Sequence, residues 1–254
     1  MPERTPEFFS SPAPRIIAHR GLAVEAPENT LLAFLKALSA GATHLETDVH
    51  ATADGIACIS HDADLKRLAG RDVRVEQLTM SELRRVDLGE GQGFCSLAEA
   101  LDAFPTARFN IDIKANNAVD PLVRAVREAG AVQRVLVTSF DERRRRSAVS
   151  QLEGVATSAS SALVAKAIGA LRIRNARMLR RILEPVDAVQ VPERFRGVRI
   201  VTPRSVNLLR SAGVEVHVWT VNEPADMERL VAMGVDGIVT DRADVAVEVL
   251  TGTR

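Results

Sequence analysis

Short apolar runs alternate along this chain with longer stretches in which apolar residues recur at helical spacing. Apolar runs of about four to eight residues are good candidates for buried strands. Strands that alternate with helices favour a parallel sheet whose connections are helical crossovers. We therefore predict an α/β fold with eight core strands at 15–18, 44–49, 108–113, 135–139, 155–158, 188–191, 215–220 and 237–240.

One stretch does not fit simple alternation. Asp54 and Gly55 mark a turn, after which 56–60 returns as a short extra strand. The residues that follow are rich in charge, until Ser96 provides the cap of a helix. We predict that 62–96 forms a small insertion over the mouth of a barrel.

Composition bounds the architecture and the partners. A chain of 254 residues with 46% hydrophobic content is long enough for one large core and matches the usual length of a (β/α)8 barrel. The formal net charge is zero, so no whole-chain field draws in nucleic acid or an anionic membrane. Residues 1–14 are polar and proline-rich, which predicts a flexible N-terminal arm rather than a signal peptide or membrane span, before one domain over 15–254. The default location is the cytoplasm.

Acidic residues collect where the second and third predicted strands end. Side chains alternate faces along a strand, so Glu46 and Asp48 share one face, and Asp112 and Lys114 share another. In a (β/α)8 barrel the active site lies at the carboxyl ends of the strands, where these residues fall. Crowded carboxylates repel one another, and a hard divalent cation such as Mg²⁺ or Ca²⁺ would relieve that repulsion. Salt bridges with Arg20 and Lys114 are the alternative.

Two histidines stand at the same predicted edge. His19 follows the first strand directly, and the extra strand returns His61 to it. Near neutral pH, histidine can remove a proton from a nucleophile and deliver one to a leaving group. Two histidines beside these carboxylates, Arg20 and Lys114 suit a metal-assisted phosphoryl site. These residues do not fix which histidine is the base. His44 lies deeper in the barrel and is predicted to be structural.

Seven short motifs follow one another along the chain in a characteristic order. They are His-Arg-Gly at 19–21, Pro-Glu-Asn-Thr at 27–30, Glu-Thr-Asp-Val at 46–49, Thr-Ala-Asp-Gly at 52–55, His-Asp at 61–62, Trp-Thr-Val-Asn at 219–222 and Gly-Val-Asp-Gly-Ile-Val-Thr-Asp at 234–241. Together they resemble the glycerophosphodiester phosphodiesterase family from about residue 15 to about residue 250. The resemblance implies a TIM barrel and hydrolysis of glycerophosphodiesters to glycerol 3-phosphate and an alcohol.

The resemblance also implies a metal site. Glu46, Asp48 and Asp112 would hold one divalent cation, Mg²⁺ or Ca²⁺. The family more often has Glu at the third of these positions. The shorter side chain of Asp112 therefore puts the metal affinity in question more than the function.

Roles in proton transfer and substrate binding follow in the same way. The resemblance implies His19 as general base and His61 as general acid. Phosphate and alcohol contacts would come from Arg20, Lys114 and Trp219, and Glu28 would support His19 or Arg20 through hydrogen bonds.

Two other functions stay open. A lysophospholipase D-like activity would use the same residues but needs an apolar channel at the mouth, which 62–96 would have to supply. The many charges of that segment argue against it. A non-catalytic barrel that binds phosphodiesters is disfavoured because both histidines and all three acidic ligands are present. We expect a small-molecule substrate, without nucleic acid or integral membrane partners.

Overall fold

Eight parallel strands close into a barrel in the computed structural model, which describes residues 6–195 and 197–252. Including three short outer strands, the strands are β1 (Arg15–Ala18), β2 (His44–Ala51), β3 (Ala57–Ile59), β4 (Arg108–Ile113), β5 (Val135–Thr138), β6 (Ala156–Thr157), β7 (Ala188–Pro192), β8 (Arg194–Phe195), β9 (Val198–Arg199), β10 (Glu215–Trp219) and β11 (Gly237–Thr240). The sheet order is β6-β5-β4-β2-β1-β11-β10-β7, and a bridge between Ser158 and Ala188 joins its two ends. The predicted TIM barrel is confirmed.

Helices carry the chain between the strands. They are α1 (Leu31–Ser39), α2 (Lys66–Ala69), α3 (Met80–Leu83), α4 (Leu97–Ala103), α5 (Val119–Glu128), α6 (Glu142–Val149), α7 (Ser161–Arg172), α8 (Ala176–Leu183), α9 (Pro203–Ser211), α10 (Pro224–Ala232) and α11 (Ala243–Thr251). Short 3-10 turns cover Glu7–Phe9, Val75–Gln77, Asn116–Ala118 and Val132–Arg134. Within the described residues, no helix is both long and apolar enough to cross a bilayer.

The main core lies outside the barrel, between strands and helices. Phe109 on β4 meets Phe34 on α1 edge to face, with ring centroids 5.7 Å apart. The neighbouring outward residues Leu45 and Val49 of β2 belong to the same core. Because side chains alternate along a strand, the residues between them face the barrel interior. This alternation frees the inner face of β2 and β4 for polar residues.

The N-terminal segment closes the bottom of the barrel. Phe8 is fully buried and packs with Leu136, Ala156 and Ala188. His44 at the start of β2 approaches the Phe8 carbonyl with its Nε2 atom, at 2.7 Å. Burial lowers the pKa of His44 to about 3, so the imidazole is neutral and Nε2–H donates this bond. The predicted arm therefore differs from the structure over 6–14, because apolar burial holds Phe8; residues 1–5 lie outside the described residues.

The predicted insertion has a small core of its own. β3 pairs antiparallel with β2, and Val49 faces Ile59 across the ladder. A second cluster of buried residues joins Cys58 of β3 to residues that follow it, namely Leu65, Val75, Met80, Leu83, Val86 and Phe94. At the start of α3, the Thr79 hydroxyl accepts a hydrogen bond from the Glu82 N–H, and the Glu82 carboxylate accepts one from the Thr79 N–H. The segment 62–96 is thus a packed part of the barrel domain, and it begins directly after His61.

The contact between Phe8 and His44 predicts coupled losses of stability. Phe8→Ala should lower the free energy of unfolding by about 3–5 kcal/mol, because it opens a cavity at the barrel bottom. His44→Ala leaves the Phe8 carbonyl without its donor and should cost about 1–3 kcal/mol. Urea unfolding of both single variants and the double variant measures this, and the double loss should be smaller than the sum. Strictly additive losses, or a folded His44→Ala protein without activity, would contradict the structural role.

Candidate active site

His19 enters the site at the carboxyl end of β1. Its backbone N–H donates to the Thr240 carbonyl at 2.8 Å, which extends the pairing of β1 with β11. Its Nδ1 lies 2.6 Å from Asp241 Oδ1, and Asn222 donates to the other oxygen of Asp241 at 2.8 Å. The imidazole is therefore oriented so that Nε2 faces Glu46 Oε2, 4.0 Å away. Burial lowers the pKa of His19, but the bond to Asp241 and the charge of Glu46 outweigh it and raise this pKa.

Asp241 and Asn222 were not among the predicted site residues. Both belong to motifs that the sequence singled out, and Asp241 follows the last core strand just as His19 follows the first. That position at a strand end was the available signal. Its role becomes evident only once β1 and β11 are known to be neighbours.

Arg20 turns the first loop toward the carboxylates. Its backbone has φ of 58° and its N–H donates to Glu46 Oε2 at 2.9 Å. Its guanidinium donates to Glu28 at 3.0 Å, and its buried Nε lies 3.6 Å from Asp48 without a hydrogen-bond partner. Gly21 has φ of 82°, and a Cβ there would lie 2.7 Å from the Ala33 carbonyl carbon. The His-Arg-Gly motif thus needs glycine at its third position.

Three carboxylates meet inside the barrel mouth. Asp48 and Asp112 are register partners on β2 and β4, and Lys114 Nζ lies 2.8 Å and 2.7 Å from them. Burial and the charge of Asp48 raise the pKa of Glu46 to about 8. Burial raises the pKa of Asp112 to about 6 although Lys114 opposes it. For Asp48, the charge and hydrogen bond of Lys114 outweigh burial and lower the pKa.

This donor set suits a hard divalent cation. All three side chains offer oxygen, and Asp112 Oδ1 is buried without a hydrogen-bond partner. Across the described part of the chain, no group of three or more His, Cys, Asp or Glu side chains already has the spacing to hold an ion. Lys114 instead supplies positive charge between Asp48 and Asp112. A cation bound here would give the Asp112 oxygen a partner and would offset the charge that raises the pKa of Glu46.

His61 reaches the same site from the hairpin. Ser60 donates its backbone N–H to the Asp48 carbonyl at 2.9 Å, which fixes the end of the returning strand. His61 Nδ1 lies 2.7 Å from Asp62 Oδ1. His50 lies beneath, with Nε2 3.3 Å from the His61 carbonyl. His61 is thus backed by a carboxylate just as His19 is.

One cavity of about 430 Å³ collects the predicted residues. Its polar end holds His19, Arg20, Glu46, Asp48, His61, Asp112 and Lys114. Its other wall is apolar and includes Phe140, Val164, Ile168, Pro192, Phe195, Ile200 and Trp219. Trp219 meets Phe140 edge to face, with centroids 6.1 Å apart.

The apolar wall comes from the loop after β5, helix α7, the last residues of β7 and β10, strand β8 and the residue after β9. Among the described residues that line the cavity, none belongs to 62–96. The apolar surface that a lysophospholipid would need is therefore not supplied by the predicted insertion. Glu28 does not line the cavity but contacts Arg20, as expected of a supporting residue.

Comparison with known proteins decides the family. A model of the glycerophosphoryl diester phosphodiesterase family matches residues 19–245. The chain belongs to this family. The resemblance predicted from the motifs is therefore confirmed, as is the prediction of a phosphoric diester hydrolase.

Several relatives match this chain along almost their whole length. A protein of Mycobacterium tuberculosis named as a probable glycerophosphodiester phosphodiesterase 2 is 40% identical over 248 residues, which cover 97% of this chain and 94% of the relative. The solved glycerophosphodiester phosphodiesterase of Thermotoga maritima superposes with a TM-score of 0.73 at 27% identity, covering 92% and 96% of the two chains. An Oleispira antarctica phosphodiesterase, solved with its product sn-glycerol-3-phosphate, shares the fold at a TM-score of 0.75, 21% identity and 94% and 97% coverage.

Proposed function

We propose that this enzyme hydrolyses glycerophosphodiesters to glycerol 3-phosphate and an alcohol, with one divalent cation and two histidines. One observation carries the proposal: His19 and His61 line one cavity with the carboxylate cluster, and each is held by a carboxylate through Nδ1. The name of the mycobacterial relative and the product found in the Oleispira antarctica enzyme support the substrate class.

The cation would be held by Glu46, Asp48 and Asp112. When bound, it would draw charge from the phosphate oxygens and offset the negative charge of the carboxylates. With that charge supplied, the Lys114 ammonium is available to a substrate phosphate oxygen. Arg20 adds a second cationic group at the same end. Together they would stabilise the charge that develops in the transition state.

The two histidines divide the proton transfers. Asp241 holds the Nδ1–H of His19, so Nε2 is left to accept a proton from the attacking nucleophile. Asp62 holds His61 in the same manner, so a protonated His61 can deliver the proton from Nε2 to the leaving alkoxide. The carboxylate behind each ring stabilises the imidazolium when it forms.

The apolar wall favours a second candidate substrate. Phe140 and Phe195 are 59% and 54% exposed at the cavity mouth, where an alkyl chain of a lysophospholipid would find apolar surface. A water-soluble diester would use only the aromatic pair Phe140 and Trp219 against its alcohol group. We keep the water-soluble diesters as the main substrates because the catalytic end of the cavity is densely charged.

The cytoplasm is part of the same proposal. Cys58 and Cys95 are both buried free thiols, which suits a reducing compartment.

Metal dependence is the first test. EDTA should abolish turnover of glycerophosphocholine, and Mg²⁺ or Ca²⁺ should restore it, because the carboxylates need positive charge. Asp112→Glu should keep or tighten metal binding measured by calorimetry, whereas Asp112→Asn should weaken it. Full activity in chelator, with no metal detected in the protein, would refute the carboxylate assignment. Unchanged metal affinity in Asp112→Asn would remove Asp112 from the ligand set.

The histidine roles are tested with leaving groups. His19→Ala and His61→Ala should each lower kcat by about 10² to 10⁴ while the fold is retained, as judged by circular dichroism. An activated 4-nitrophenyl leaving group needs no general acid, so it should partly rescue His61→Ala and not His19→Ala. The reverse pattern would exchange the two roles. Rescue of neither, with both variants folded, would argue against the proposed proton transfers.

Substrate choice is tested on the apolar wall. The kcat/KM for glycerophosphocholine should exceed that for lysophosphatidylcholine, and Ile168→Asn should change the former by less than about threefold. If an acyl chain instead lay on the wall, each CH₂ would add roughly 0.8 kcal/mol, and Ile168→Asn would remove that gain. Ile173→Asn serves as the control, since Ile173 is 66% exposed just after α7 and does not line the cavity. A clear preference for the lysophospholipid would make the second candidate the function.

A further inference from the structure

Arg67 of the insertion binds two carboxylates, Asp62 and Glu28, that in turn contact active-site side chains. Its Nε donates to Asp62 Oδ2 at 2.6 Å. Its two terminal nitrogens donate to the two oxygens of Glu28 at 3.0 Å and 2.6 Å. One guanidinium therefore holds two carboxylates that come from different loops.

Each of those carboxylates holds a residue of the site. Asp62 uses its other oxygen for His61, at 2.7 Å. Glu28 Oε1 also accepts from Arg20, at 3.0 Å. We infer that Arg67 is a positioning residue that orients His61 through Asp62 and Arg20 through Glu28. This inference rests on the proposed roles of His61 and Arg20.

The charges of Glu28 and Asp62 explain why a positively charged side chain is needed at position 67. Glu28 and Asp62 carry two negative charges, and Arg20 and Arg67 balance them. Both carboxylates resist protonation: the bonds from Arg67 and Arg20 outweigh burial and lower the pKa of Glu28, and His61 and Arg67 do the same for the pKa of Asp62. Without Arg67, Glu28 would pair with Arg20 alone and draw it away from a phosphate. Asp62 would also be free to rotate away from His61.

The shape of the guanidinium matters as well as its charge. Its planar fork holds Glu28 with two parallel bonds and leaves Nε for Asp62, a pattern that an ammonium group does not reproduce. A lysine at this position can restore the charge but not the orientation. Arg67→Lys should therefore behave as an intermediate variant.

The fold does not depend on Arg67. Its side chain is 47% exposed, and exposed ion pairs contribute little to stability. The insertion keeps its apolar cluster and other ties to the barrel, such as the bond from the Ala53 N–H to the Leu78 carbonyl at 2.8 Å. Arg84 offers a matched control, because it is 48% exposed in the same insertion and pairs with Glu99 on α4. Arg84 does not line the cavity.

The experiment compares Arg67→Met, Arg67→Lys and Arg84→Met with the wild-type enzyme. In Arg67→Met, kcat for glycerophosphocholine should fall about 10- to 100-fold, the usual effect of losing such a support. With a 4-nitrophenyl diester the fall in kcat should be clearly smaller, because this leaving group needs no acid and only the effect through Arg20 remains. Calorimetric binding of sn-glycerol 3-phosphate should weaken, which reports on Arg20. Arg67→Lys should lie between, and Arg84→Met should match the wild type throughout.

Two results would overturn the inference. In the first, Arg67→Met matches the wild type on both substrates and in product binding, which would leave Arg67 without a role. In the second, Arg67→Met loses activity equally on both substrates and has a lowered melting temperature, which would mark a structural role. The wild-type arm separates this from the proposed function: a wild-type enzyme that does not cleave either diester refutes the function itself, whatever Arg67 does.

Discussion

The burial of like charges is the constraint on which this site depends. Glu46, Asp48 and Asp112 lie inside the barrel mouth, where a carboxylate without a partner costs far more than in water. Lys114 bridges Asp48 and Asp112, and the Arg20 backbone N–H donates a hydrogen bond to Glu46. Even so, the pKa of Glu46 stays raised to about 8, so the cluster is only partly neutralised. A bound cation, as proposed for this site, would relieve the repulsion that remains.

Each of the two histidines is also paired with a carboxylate. His19 Nδ1 contacts Asp241 and His61 Nδ1 contacts Asp62, so each ring is oriented by its own carboxylate. Their environments are not equal. His19 faces Glu46 at 4.0 Å, whereas Asp62 behind His61 is also bound by Arg67. In the proposed mechanism, a difference of this kind, rather than the residue type, would let the two histidines take opposite proton-transfer roles.

Alternation along strands made part of the site predictable. It placed Glu46 with Asp48 and Asp112 with Lys114, and the parallel register then set Asp48 beside Asp112. It could not reveal that Asp241 supports His19, since that depends on the pairing of the first and last strands. Nor could it reveal the contact of Arg67 with Glu28, which joins α2 to the loop before α1, because no local pattern encodes the relative position of these segments. Phe8 was missed for the same reason, because a single apolar residue in a polar segment gives no periodic signal.

The closed bottom of the barrel explains why the chemistry gathers at one end. Phe8 is buried at the base, and in the polar layer above it the buried His217 lies 3.0 Å from Glu215 and 3.2 Å from Gln190. Asn110 reaches the same Gln190 from β4 at 3.4 Å. These groups bond mainly to one another, but Asn110 Oδ1 is buried without a hydrogen-bond partner, and Asn110 and Gln190 line the cavity. The positive charges of the site stand at the carboxyl ends of the strands, where Arg20 follows β1 and Lys114 follows β4. Both side chains are largely buried, so their charges act on the carboxylates more strongly than they would in bulk water.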